Sequence, residues 1–109
     1  MKTLIITTVA VAALAGAAQA GQGVTDRAYV EAARCRGLAA STGLGKLDTA
    51  QIDVLLRDGA VDRDLNVRTQ ALNKMKGAEA DGDKADGEKK AKLLAEREKV
   101  CGQYLAGGK

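Results

Sequence analysis

The chain has no histidine, phenylalanine, tryptophan or proline, and only two tyrosines and two cysteines. Each scarcity closes off a class of explanation. Without histidine the commonest general base and metal ligand is missing. Ser41, the only serine, stands in a glycine-bounded loop with no basic residue type in a catalytic spacing. No spacing of Asp and Glu singles out a carboxylate pair, so the expectation is a protein that is not an enzyme and uses no cofactor. β-branched residues are sparse and no stretch alternates convincingly with period two, which argues against a sheet. Positive charge is in slight excess, at +3 overall, and is spread evenly. That is too mild for a nucleic-acid footprint.

The longest apolar run is at the start. Lys2 followed by Leu4 to Ala15 and then Ala18-Gln19-Ala20 reads as the charged, apolar and cleavage regions of a secretory signal peptide spanning residues 1–20. The run is short of the roughly 20 apolar residues that a bilayer span needs, and no second one follows. No cysteine sits at the cleavage point, which argues against a lipid anchor. The Ala-rich tract and the lack of glycosylation sequons suggest a bacterial periplasm or secretion from a bacterium. Cleavage would leave residues 21–109 as one small domain and remove Lys2, taking the net charge from +3 to +2.

A domain of this size is marginal without a staple. Cys35 and Cys101 supply the candidate: an even cysteine count in a small exported domain reads as a disulfide. Closing so long a loop removes denatured-state freedom worth about 4 kcal/mol. A redox pair is the functional alternative, but both residues lie inside helical patterns rather than in a Cys-x-x-Cys motif.

Four helices are expected. The first runs from an N-cap at Thr25 to Ala40, with Ala28, Ala32, Cys35 and Ala39 on one face of small residues that a neighbour can approach closely. After the loop Ser41–Lys46, Asp48 with Gln51 resembles a capping box, with Leu47 stapling Ile52. That second helix should stop at Asp58-Gly59, with Gly59 as a left-handed cap. The third begins between Val61 and Leu65, presents Val61, Leu65, Leu72 and Met75 in a narrow arc, and ends near Gly77. The fourth covers Lys89 to Ala106, with Leu93, Leu94, Val100, Cys101, Tyr104 and Leu105 on its apolar face and a Glu96–Lys99 pair on its solvent side. A frayed Gly107–Lys109 tail follows. The fold expected is an all-α, four-helix up-and-down bundle stapled by one disulfide. In it the first and last helices are antiparallel, which places Tyr104 near Glu31 and Ala32.

Residues 78–88 read as an acidic linker, and this stretch raises the one metal question. From Glu79 to Glu88 the chain packs five acids and two glycines into ten positions. The calcium-loop pattern needs oxygens at alternate positions, a glycine sixth and a closing Glu twelfth. Counting from Asp81 makes Asp83 fit, but puts Asp86 sixth and Lys92 twelfth. Counting from Glu79 puts Lys84 where glycine is required. Asp62-Arg-Asp-Leu-Asn66 is followed by Val67 and has Asn73 in the closing place. The bland reading fits better: acids before a Lys-rich helix complement the positive end of its dipole, and Asp83 or Asp86 can cap it. Asp81, Asp83 and Asp86 remain as a weak divalent-cation alternative. The last helix carries Lys89, Lys90, Lys92, Arg97 and Lys99 beside an apolar face, which suits an anionic lipid surface. A disulfide at Cys101 turns that face inward, so membrane contact is not expected after cleavage. A protein partner is the remaining class.

Overall fold

A computed structural model describes residues 24–108; the expected signal peptide and Lys109 lie outside them. All regular elements among the described residues are helices: α1 Asp26–Ala40, α2 Ala50–Ala60, α3 Leu65–Lys84, α4 Gly87–Lys99 and the single turn α5 Gly102–Leu105. None is long and apolar enough to cross a membrane.

α1 starts as its sequence dictates. Thr25 is extended, and its hydroxyl accepts the Ala28 N–H at 3.0 Å, while Asp26 complements the positive helix end. The helix is buried along most of its length from Tyr29 to Ala39 because it packs against every other helix. Contact order gives the directions. Tyr29 meets Gly59 and Arg36 meets Asp53, so α2 runs against α1. Gly37 meets Met75 and Ala78, and Ser41 meets Gly82, so α3 runs with it. Glu31, Cys35 and Leu38 meet Tyr104, Cys101 and Arg97, so the last segment returns antiparallel. The up-and-down alternation is therefore present.

Its tightest contact lies between α1 and α3, which are not consecutive. A Cβ added at Gly37 would collide with the Met75 carbonyl and lie 3.1 Å from the Ala78 Cβ. The backbones are too close for large side chains to sit between them, so α3 buries Ala71, Ala78 and Gly82 instead. The expected arc of large residues is overturned by the same geometry. Val61, Leu65 and Leu72 are 75%, 67% and 50% exposed, and of that arc only Met75 packs against the core.

That contact also carries α3 past Gly77, where an end was expected. Gly77 faces open space and costs about 1 kcal/mol relative to alanine. Tertiary contacts at Ala78 and Gly82 hold the next two turns in place, and the expected linker shrinks to Ala85 and Asp86. Gly59 is likewise no left-handed cap. It lies inside α2 because a Cβ there would sit 3.0 Å from the Tyr29 ring.

Smaller departures follow from local bonding. Thr49 takes the N-cap place of α2, and Asp48 accepts the Ala50 N–H at 2.9 Å rather than forming a capping box with Gln51. The last helix breaks at Val100–Cys101, where both N–H groups bond to the Glu96 carbonyl, at 2.8 and 3.3 Å. Of the expected frayed tail, Gly107 and Gly108 are tied, and Lys109 lies outside the described residues. Gly107 (φ 92°) lets the chain reverse, its N–H bonds to the Tyr104 carbonyl, and the Gly108 N–H bonds to the Gln103 carbonyl. This Schellman closure lays Gly107 against Gln51 and Gly108 against Leu55.

Candidate functional site

Cys35 and Cys101 are brought together. Their sulfurs bond at 2.04 Å with Cα atoms 5.4 Å apart, and the bond is wholly buried among Ala32, Leu38, Ile52 and Leu93. One turn away Tyr104 donates its hydroxyl to Glu31 at 2.7 Å. Burial first, then that bond and the nearby carboxylate, push the phenol up to about 12.

The three acids of the cation alternative are not brought together. Asp81 is exposed on α3, and Asp86 sits at the N-cap place of α4 without a side-chain capping bond. Asp83 is already engaged: its Oδ1 accepts the Ser41 hydroxyl at 2.8 Å and the Gly43 N–H at 3.0 Å. The Gly43 N–H, then the Ser41 hydroxyl, hold the Asp83 carboxyl below its ordinary range. Among the described residues no three His, Cys, Asp or Glu groups are placed to hold a metal ion. Ser41 is itself fully buried, and its oxygen also accepts the Leu44 N–H at 3.3 Å. Its hydroxyl is thus a structural tie between loop and helix.

Four arginines organise the remaining polar contacts, and reasoning from spacing missed all four roles. Arg34 grips Glu96 through Nε at 2.7 Å and Nη2 at 2.9 Å. Their hydrogen bonding lowers the Glu96 carboxyl and raises the guanidinium, so Glu96 is not the partner of Lys99. Arg36 donates to Asp53 at 2.9 Å; that bond, with a further one from Thr49, holds Asp53 low. Arg63 stacks on Tyr29, 4.7 Å from the ring centre, and donates to the Gly59 carbonyl at 2.8 Å, to Asp26 at 2.6 Å and to the Val24 carbonyl. It closes the end of α2 onto the start of α1.

Arg97 differs. Nη1 donates to the carbonyls of Leu38 at 3.2 Å and Gly45 at 2.7 Å, and Nη2 to that of Leu44 at 3.1 Å. Desolvation lowers its pKa, with no carboxylate among the described residues to offset that effect. Arg97 also lines a cleft of about 450 Å³. Leu47, Leu94, Ala95 and Leu105 form its apolar wall, and Arg97 and Glu98 are its charged residues. The sequence carries one hint of this site: Leu94 and Leu105 share the apolar face expected of the last helix, but nothing in the spacing brings Leu47 to them.

The arrangement can hold an apolar group beside a cation. It presents no nucleophile activated by a base within hydrogen-bond reach. Comparison with protein-family models, curated proteins and solved structures finds no match.

Proposed function

We propose that this chain is exported through the residue 1–20 leader to a bacterial periplasm or beyond, where it works as a binding or accessory envelope protein and not as an enzyme. The observation that carries this reading is the buried Cys35–Cys101 bond, which joins the first helix to the last segment. Such bonds persist in oxidising compartments, and small exported domains depend on them. The commitment of the ionisable groups supports the second half. Asp26, Asp53, Asp83 and Glu96 each hold one element to another, which leaves them no role as a poised base. Recognition then falls to the surface, through a protein or small-molecule partner. Cation binding draws no comparable support, because Asp81, Asp83 and Asp86 do not converge.

Fractionation followed by intact-mass measurement and a pull-down tests the reading. The expected species is periplasmic, begins at Gly21, and is lighter than its reduced form by the two thiol hydrogens. It captures a partner whether or not Asp81, Asp83 and Asp86 are neutralised. A cytosolic protein with free thiols would sink export. Turnover of a substrate abolished by one substitution would sink the binding reading.

A further inference from the structure

The cleft beside Arg97 combines two features that no other described arginine has together. The first is an unmatched charge. Arg34, Arg36 and Arg63 each meet a carboxylate, at 2.7, 2.9 and 2.6 Å, and each joins two elements. Arg97 also joins two elements, yet its three acceptors are neutral carbonyls. A guanidinium has five N–H donors. Nη1 and Nη2 are both engaged, while Nε has no acceptor among the described residues. Nε and Nη2 are the two atoms through which Arg34 grips the Glu96 carboxylate. Arg97 therefore keeps an unengaged Nε on the edge that a planar carboxylate fits.

The second feature is the wall. Leu47, from the loop before α2, stays 44% exposed, while Leu94 and Leu105 close the other side. The volume of about 450 Å³ lies in the range of small-molecule sites. Glu98 also lines the cleft but is exposed, where water screens its charge. The half-buried cation is screened less, so it sets the sign of charge the cleft favours.

We infer that this cleft binds a single-chain fatty carboxylate, its head group on the Nε edge of Arg97 and its tail along Leu47, Leu94 and Leu105. This deepens the binding reading above and rests on it. It also gives Leu47 a reason to stand out from the core, as one wall of a site.

The test is a methyl and amide NMR titration of the exported, oxidised protein with decanoate below its micellar concentration. Decanol, decyltrimethylammonium and a short peptide ending in leucine are the head-group and source controls. Decanoate should shift the methyls of Leu47, Leu94 and Leu105 and bind at least about tenfold more tightly than decanol, as a charge-assisted pair requires. Leu47→Glu, on an exposed loop residue, should weaken decanoate by a similar factor while the circular dichroism melt is unchanged. Arg97→Lys keeps the charge but loses the fork, and should weaken decanoate more than decanol. Equal binding of decanol and decanoate, indifference to Leu47→Glu, or tighter binding of the peptide than of decanoate would each overturn the inference. A pull-down partner captured by a protein that ignores decanoate would overturn it while leaving the broader binding reading in place.

Discussion

Asp83 accepts hydrogen bonds from the Ser41 hydroxyl at 2.8 Å and from the Gly43 N–H at 3.0 Å, both on one oxygen. The contact can form because glycines remove the side chains that would block it. A Cβ at Gly43 would lie 2.5 Å from the Gly82 carbonyl, and one at Gly82 would lie 2.5 Å from the Ser41 hydroxyl. An acid-rich stretch that resembles a cation loop by composition is thus, at Asp83, the catch that holds the α1–α2 loop to the last turn of α3.

Neutralising the three acids separately distinguishes this catch from a general charge effect. Asp83→Asn should lower the melting temperature, because an amide is a weaker acceptor for two donors. Asp81→Asn and Asp86→Asn should leave it nearly unchanged. Ser41→Ala should cost about 1 kcal/mol, the net worth of a lost hydrogen bond. Thermal melts of the four variants are sufficient, and equal effects at all three acids would rule the catch out.

Two glycines on facing helices should respond in opposite directions to the same change. Gly37→Ala drives a methyl group into the Met75 carbonyl and must push α1 from α3, an overpacking cost of about 1–3 kcal/mol. Gly77→Ala meets open space inside a helix and should stabilise by up to about 1 kcal/mol. Urea denaturation reads both. A stabilising Gly37→Ala would show that the α1–α3 approach is looser than described.

These glycines also mark what was legible in the sequence. Thr25, the small-residue face of α1, the Cys35–Cys101 bond and the Tyr104–Glu31 proximity follow from local caps, helical period and cysteine arithmetic. The small face announced a close neighbour but not which one, since periodicity on one helix carries no information about its partner. That face meets the last segment at Cys101 and Tyr104, whereas α3 packs on the other side of α1 at Ala33 and Gly37, where large residues have no room, and of the arc from Val61 to Met75 only Met75 reaches the core. Gly59 and Gly77 look like stop signals because a lone glycine has the same letter whether it ends a helix or makes space for Tyr29. The Arg97 cleft was invisible for a related reason. Leu94 and Leu105 share one helical face, but Leu47 lies far from them in the chain, and a guanidinium bonded to carbonyls has no sequence spacing at all.

Removing the disulfide tests the staple. Cys35→Ala with Cys101→Ala opens a loop of sequence separation 66, and should lower the unfolding free energy by about 4 kcal/mol. Oxidised wild type should match the double variant only after reduction. Identical denaturation midpoints with and without reductant would mean that the core stands without the bond.

Acid should loosen the bundle at its helix-to-helix ties. Glu96, Asp53 and Asp83 all have folded-state pKa values below their ordinary ones, through hydrogen bonds to Arg34, Arg36 and Gly43 respectively. A depressed carboxyl contributes stability that is present above its unfolded pKa, about 4, and is lost as pH falls through the folded value. Melting temperature should therefore hold from neutral pH down to about 4 and drop below it. With Arg34→Gln the drop should be shallower, because Glu96 then titrates more alike in both states. A pH profile of Arg34→Gln parallel to wild type would remove Glu96 from the account.

Alkali acts on a different contact. Tyr104 is pushed up to about 12, by burial first and then by its hydrogen bond to Glu31 and that carboxylate's charge. A raised pKa means that the neutral phenol is favoured in the fold. The contribution is complete below the unfolded tyrosine value of about 10 and is lost as pH rises through the folded one. In a Tyr29→Phe background Tyr104 is the only phenol, so its ionisation can be followed alone by ultraviolet absorbance. The midpoint should lie near 12, and Glu31→Gln should bring it down by removing the neighbouring charge. A midpoint near 10, as for a free tyrosine, would mean that the ring does not close over α1 beside the disulfide.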